Sequence, residues 1–247
     1  MVVAHRGASA VEAENTLAAF ELAIAAGADA IEFDVRLTAD RYPVVLHDPD
    51  VGRTTDGRGL VRDLTLAQVK RLRIRTSDGD ATEVPTLEEA LACCLGRVAV
   101  DVELKNLPGE PDFEPDGQGV AEATVRTLRD VGFTGPVLLS SFNPWALDRA
   151  RELSPETPTG VLTDRDVEVT AALAFAREGG YPWILPFVRQ VVEAPQGFIA
   201  DAHDAGILVG TWITDDPAEA VELFRAGIDA VATNDPGVVV PAVRGAW

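Results

Sequence analysis

Positive charge is scarce in this chain, and lysine more so: Lys70 and Lys105 are the only two among 247 residues. Against 21 Lys and Arg stand 40 Asp and Glu, a formal net charge of −19, which argues against nucleic acid or an anionic membrane as partner. An anionic ligand then has to be captured by local positive charge or by a bound cation. The two cysteines, Cys93 and Cys94, are adjacent on a predicted helix with nothing else to pair with. That excludes a disulfide framework, makes a zinc cluster improbable, and fits a cytoplasmic setting. No apolar run is long enough to span a membrane, and the opening residues lead into a strand rather than a signal peptide. No amphipathic surface helix or basic patch suggests stable membrane association. There is no Walker loop, no G-x-S-x-G elbow and no H-E-x-x-H. Histidine is limited to His5, His47 and His203.

Two of those three histidines bracket the stretch that holds most of the remaining reactive groups. Between His5 and His47 lie Arg6, Asn15 and the carboxylate pair Glu32 and Asp34. Short apolar runs precede most of them: Val2–Ala4 before His5, Ala30–Asp34 around the acids, Pro43–Leu46 before His47. Bounded by turn residues and alternating with a helix, such runs read as buried parallel strands. Helix and strand then alternate along the chain: strands at 98–104, 137–140, 159–162, 182–185, 207–211 and 229–232, helices at 15–26, 119–131, 144–153, 167–178, 195–205 and 217–226. Capping boxes at Thr65 with Gln68 and at Thr86 with Glu89 start two short helices. Residues 106–119, rich in Pro, Gly and acids, read as a mobile loop. About eight strand units with helical crossovers predict a single (β/α)8 barrel over residues 1–247, with 48–85 inserted over the active-site face. A doubly wound open sheet is the alternative, weakened by the lack of a dinucleotide fingerprint after the first strand.

Side chains alternate across a strand, so Glu32 and Asp34 share one face, as do Asp101, Glu103 and Lys105. Three carboxylates converging inside a barrel form an oxygen-only site for a hard cation such as Mg²⁺ or Ca²⁺. The plainer alternative is salt bridging, Glu103 with Lys105 and Asp34 with Arg36. His5 and His47, both at strand ends beside acids, can serve as an acid–base pair near neutrality. Arg6 can fork onto a phosphate. Asn15 reads as a helix cap, either that alone or a cap that also touches ligand. His203, in AHDAG on a predicted helix, reads as exposed and uninvolved.

The motifs His5-Arg6-Gly7, Glu14-Asn15-Thr16, Glu32-Phe33-Asp34-Val35, Leu37-Thr38-Ala39-Asp40, Val44-Val45-Leu46-His47-Asp48 and Arg53-Thr54-Thr55-Asp56-Gly57 continue into Val84-Pro85-Thr86-Leu87-Glu88-Glu89, Glu103-Leu104-Lys105, Ser141-Phe142, Trp212 and Thr233-Asn234-Asp235-Pro236. In that order they resemble the glycerophosphodiester phosphodiesterase family, whose fold is related to that of phosphatidylinositol-specific phospholipases C. The resemblance covers nearly the whole chain, densely to Lys105 and thinly after it. It implies a (β/α)8 barrel with one divalent cation on Glu32, Asp34 and Glu103, and His5 and His47 as the acid–base pair. Arg6, Lys105 and Asn15 would hold the phosphate of a small glycerophosphodiester, and Trp212 would line the pocket. Departures are mild: Ala13 stands for a usual proline, Tyr42 for a common glycine, and Thr233-Asn234 for a frequent Thr-Asp. The expected reaction is metal-dependent hydrolysis to glycerol 3-phosphate and an alcohol. The alternatives are a phospholipase-type diesterase acting on lipid headgroups and a non-catalytic barrel that binds phosphorylated ligands.

Overall fold

A computed structural model describes residues 1–115 and 118–246. Its eight parallel strands are β1 (Val2–His5), β2 (Ala30–Leu37), β3 (Ala99–Leu104), β4 (Val137–Ser141), β5 (Thr159–Leu162), β6 (Trp183–Leu185), β7 (Leu208–Thr211) and β8 (Ala230–Thr233). β1 pairs with β2 on one side, Val3 opposite Ala30, and with β8 on the other, Val3 opposite Ala232. That double pairing closes the sheet into a (β/α)8 barrel and removes the open-sheet alternative.

The run before His47 is a correction. Pro43–Val45 is a strand, but it lies antiparallel on the outer end of β2, with Val35 opposite Val45 and Leu37 opposite Pro43. A parallel return needs a crossover of a dozen or more residues. Here a tight turn reverses the chain: Thr38 N donates to the Tyr42 carbonyl across it at 3.0 Å, and Arg41 takes a φ of +64°. Reversal brings His47 back over the mouth of the barrel.

Outside the strands lie α1 (Leu17–Ala25), α2 (Leu87–Cys94), α3 (Gly119–Val131), α4 (Pro144–Leu153), α5 (Val169–Gly179), α6 (Phe198–Asp204), α7 (Pro217–Arg225) and α8 (Pro236–Arg244). Both capping boxes form, at Thr65 with Gln68 and at Thr86 with Glu89. The helix expected over 195–205 is α6, which starts only after Gly197 at φ +91°, and a short helix at Val188–Val192, absent from the sequence expectation, precedes it. α8 has no counterpart in the sequence reading, because Gly237 and Pro241 mask its periodicity. Ile31, Phe33 and Val35 face outward and are fully buried against α1 and α2, with the Phe33 ring 5.5 Å from Phe20. The segment after His47 has an apolar cluster of its own, including Val51, Val61, Val69, Ile74 and Val84.

The loop expected to be mobile over 106–119 includes residues 116 and 117, which lie outside the described residues. Its preceding part is anchored: Arg36, fully buried, reaches Asp112 at 2.7 Å and Glu110 at 2.9 Å, and the Asn106 side chain bonds the Glu114 backbone at 2.7 and 3.1 Å.

Candidate active site

The pleat of two neighbouring strands builds the acidic half of the site. β2 and β3 pair with Glu32 beside Asp101 and Asp34 beside Glu103, and alternation turns all four carboxyls inward. Glu32, Asp34 and Glu103 each offer an oxygen to a common point, those atoms lying within 4.8 Å of one another. Glu32 Oε1 is buried with no hydrogen-bond partner, and Asp34 Oδ1 and Glu103 Oε1 have only the Lys105 ammonium beside them, at 3.1 and 2.6 Å. Buried carboxylate oxygens left facing one another are costly. A hard divalent cation satisfies them, since it takes oxygen ligands at roughly 2.0–2.6 Å. The donor set therefore fits Mg²⁺ or Ca²⁺.

Electrostatics divide the three acids. Burial, then the charges of Asp34 and Glu103, push Glu32 well above the usual carboxylate range. Burial also raises Glu103, with Lys105 opposing. Burial works to raise Asp34 as well, but the Lys105 ammonium and the Arg6 guanidinium outweigh it and hold Asp34 far below that range. Lys105 Nζ stands 2.6 Å from Glu103 Oε1 and 3.1 Å from Asp34 Oδ1. Of the two salt bridges suggested by spacing, Glu103–Lys105 forms. The other does not: Arg36 points past the acids, to Asp112, Glu110 and the His47 carbonyl at 2.7 Å.

Arg6 and Asn15 hold unusual backbone conformations, φ +57° and +58°, of the kind that persists where the surroundings enforce it. The enforcement is visible. Arg6 N donates to the Glu32 carbonyl and to Glu32 Oε2, both at 2.9 Å. Gly7, at φ +82°, has no room for a side chain, because a Cβ would stand 2.7 Å from the Ala19 backbone. Arg6 Nε then lies 3.2 Å from Asp34 and Nη1 3.1 Å from Glu14. Asn15 is not the helix cap; Thr16 is, accepting from Ala19 N at 3.2 Å. The Asn15 amide instead donates to Asp34 Oδ2 at 2.7 Å.

Each histidine is held by its Nδ1. His5 Nδ1 lies 2.7 Å from Asn234 Oδ1, and His47 Nδ1 lies 2.6 Å from Asp48 Oδ1. The Asn234 amide nitrogen donates to Asp215, so its oxygen is the atom that faces His5. Both rings therefore keep a proton on Nδ1 and turn Nε2 away from these partners, bare in the neutral form, that of His5 being 3.9 Å from Glu32. Burial lowers both, His5 to about 4 with help from the Arg6 charge, and His47 in the same direction. Opposite this polar half, Trp212, Phe142 and Ile213 help line a cavity of about 300 Å³ that continues into the barrel. Trp212 is fixed by a bond from Nε1 to the Leu185 carbonyl at 3.1 Å and by Phe142, edge-on at 5.6 Å. His203 sits on α6, half exposed, paired with Asp229 at 2.8 Å and remote from these groups.

All nine residues singled out from the sequence thus fall at or around one mouth of the barrel. The roles of Asn234, Asp48 and Glu14 as partners of His5, His47 and Arg6 are not legible in the sequence. Each stands in a motif marked there, but His5 and Asn234 are 229 positions apart, and no local pattern pairs them.

The glycerophosphoryl diester phosphodiesterase family matches this chain over residues 5–238. The chain belongs to that family. Glycerophosphodiester phosphodiesterase of Caldanaerobacter subterraneus subsp. tengcongensis is 30% identical over 250 residues, 99% of this chain and 98% of the relative. The Thermotoga maritima glycerophosphodiester phosphodiesterase structure superposes with a TM-score of 0.77 at 27% identity, covering 97% of this chain and 96% of its own. An Oleispira antarctica phosphodiesterase, solved with the product sn-glycerol-3-phosphate, superposes with a TM-score of 0.87 at 29% identity, over 99% of this chain and 96% of its own.

Proposed function

We propose that the protein is a metal-dependent hydrolase that cleaves a glycerophosphodiester into sn-glycerol 3-phosphate and an alcohol. What carries the reading is one arrangement: three converging buried carboxylates, two cationic side chains and two imidazoles around a single cavity mouth. The product bound by the Oleispira relative supports the glycerol 3-phosphate side of it. A cation on Glu32, Asp34 and Glu103 would supply positive charge to the phosphate as the pentacovalent transition state forms.

The chain's own residues supply the rest. Arg6 has Nε beside Asp34 and Nη1 on Glu14, which orients the guanidinium and leaves Nη2 for a phosphate oxygen. Lys105 adds a compact charge beside the acids. Asn15 orients Asp34. The two imidazoles divide the proton transfers: one, neutral and bare at Nε2, takes a proton from the attacking oxygen, and the other, entering the step as imidazolium, gives its Nε2 proton to the departing alkoxide. Trp212 and Phe142 form the apolar wall against the carbon skeleton. Free thiols at Cys93 and Cys94 fit the reducing interior of a cell.

Purified protein assayed on glycerophosphodiesters of different headgroups, with and without chelator, tests this. Turnover should disappear on chelation and return with Mg²⁺ or Ca²⁺ while the far-UV spectrum stays unchanged. Full activity in metal-stripped protein refutes the cation. Binding of glycerol 3-phosphate without turnover of any diester makes the protein a non-catalytic barrel.

A further inference from the structure

None of the groups assigned to the reaction comes from the segment that follows His47-Asp48, yet one arginine of that segment reaches the site from outside. Arg53 is bidentate on Glu14, with Nη1 2.9 Å from Oε2 and Nη2 2.7 Å from Oε1, and its Nε meets Asp48 Oδ2. Glu14 is the carboxylate that holds Arg6 Nη1, and Asp48 is the one that holds His47 Nδ1. The contacts form an unbroken chain, Arg6–Glu14–Arg53–Asp48–His47, in which charge alternates and Arg53 is the middle link. We propose that Arg53 is a positioning residue, setting the phosphate-binding Arg6 and the acid–base His47 relative to each other through these two carboxylates.

The turn that carries Arg53 is built to hold it still. Thr55 bonds the Val51 carbonyl twice, from its amide at 3.1 Å and its hydroxyl at 2.7 Å, and that hydroxyl accepts from Gly57 N at 3.0 Å. Asp56 and Arg73 pair backbone to backbone at 3.0 Å, and the Asp56 carboxylate accepts from Arg73 N at 2.9 Å. Val51 is fully buried, and a Cβ on Gly57 would stand 2.5 Å from Leu72. So Arg53-Thr54-Thr55-Asp56-Gly57 fixes one end of the side chain, while Glu14 and Asp48 fix the other. The guanidinium is required here for its shape: only a planar fork meets two carboxylates from three nitrogens. An ion pair in which the arginine is 47% exposed contributes little to stability. Its consequence lies in geometry, since reacting groups displaced by fractions of an ångström lose rate steeply.

This inference rests on the proposed roles of Arg6 and His47, and its test keeps the two apart. Steady-state kinetics on a glycerophosphodiester are measured for Arg53→Gln, Arg53→Lys, Arg6→Gln and His47→Ala, with calorimetric affinity for sn-glycerol 3-phosphate in the same metal-containing buffer. Arg53→Gln should lower kcat/KM by about tenfold or more, the effect divided between a lower kcat through His47 and weaker product binding through Arg6. The melting midpoint should move little. Arg53→Lys should recover part of the loss, because an ammonium reaches one carboxylate but not both. In a Glu14→Gln, Asp48→Asn background, adding Arg53→Gln should cost about twofold or less, both partners being already gone. The positioning role is overturned if Arg53→Gln keeps kcat and KM within about twofold of wild type while Arg6→Gln and His47→Ala are impaired, or if its loss is undiminished in the double-variant background. Unimpaired Arg6→Gln and His47→Ala would overturn the proposed function and the positioning role together.

Discussion

Asp101 is the inward carboxyl that the cation site does not use, and replacing it with asparagine should make the metal-free protein more stable in a pH-dependent way. The Asp101 side chain faces the cavity below Glu103, accepting a hydrogen bond from Ser140 Oγ at 2.6 Å. Burial pushes it up to about 7 from an ordinary 3.8; the Ser140 bond opposes this, and the charges of Glu103 and Asp34 add to it. A carboxyl whose folded pKa is raised costs no stability where both states are protonated, below about pH 4. The cost accumulates as the unfolded chain ionises first, and it is complete above pH 7. At about 1.4 kcal/mol per pH unit, the full cost is about 4 kcal/mol. Because the carboxyl borders a cavity that solvent can reach, we discount this to about 2–3 kcal/mol. The amide introduced by Asp101→Asn would keep the Ser140 bond through its oxygen and carry no charge. Urea unfolding in EDTA should therefore show a gain for Asp101→Asn that is near zero at pH 4 and about 2–3 kcal/mol at pH 8. In a chain of this length that corresponds to about 5–10 °C in Tm. A gain of equal size at both pH values would refute the argument, as would a loss at pH 8.

Lys105→Met should cost about 10²-fold or more in kcat/KM, the scale of a lost transition-state donor, and Lys105→Arg should not fully restore it, because a planar fork does not fit where a compact ammonium lies 2.6 Å from Glu103. An unchanged kcat/KM in Lys105→Met would leave the lysine as a structural ion pair. His5→Ala and His47→Ala should each lose about 10²-fold or more, and His203→Ala should leave the profile unchanged. Because burial lowers both site histidines, the acid limb of kcat/KM should fall below an ordinary 6.5; a limb above 7 that survives His5→Ala and His47→Ala would place the titrating group elsewhere.

What is legible in the sequence is what repeats locally or alternates strictly. The period-two pleat places Glu32, Asp34, Glu103 and Lys105 on inward faces, and those four side chains do meet. The same rule sends Phe33 outward, where it packs on Phe20. Proline and asparagine signals place α4 at Pro144–Leu153 with Asn143 as its cap. Errors arise where a signal is shared by two structures. An apolar run such as Pro43–Leu46 has the same composition in a parallel or antiparallel strand, and only the shortness of the turn at Asp40–Tyr42 distinguishes them. A helix whose interior holds Gly237 and Pro241 offers no periodicity to find, although Asp235 accepts from Val238 N at 3.2 Å and so marks its start.

The partners of the reactive groups are the least legible part, and the reason is physical. A catalytic histidine is recognisable alone because few residues titrate near neutrality. The group that holds its Nδ1 can be any acceptor that the fold delivers. For His47 the fold delivers the next residue, Asp48, at 2.6 Å; for His5 it delivers Asn234 from the far end of the chain, at 2.7 Å. These two acceptors differ in charge, so the two imidazoles are not equivalent even though both present Nε2 to the same cavity mouth. Asp48 favours the imidazolium form of His47, whereas Asn234 gives His5 a neutral partner, and His5 is held at about 4 by burial and Arg6. Asn234 thus leaves the more enclosed of the two histidines with an uncharged partner, while His47 keeps a charged one.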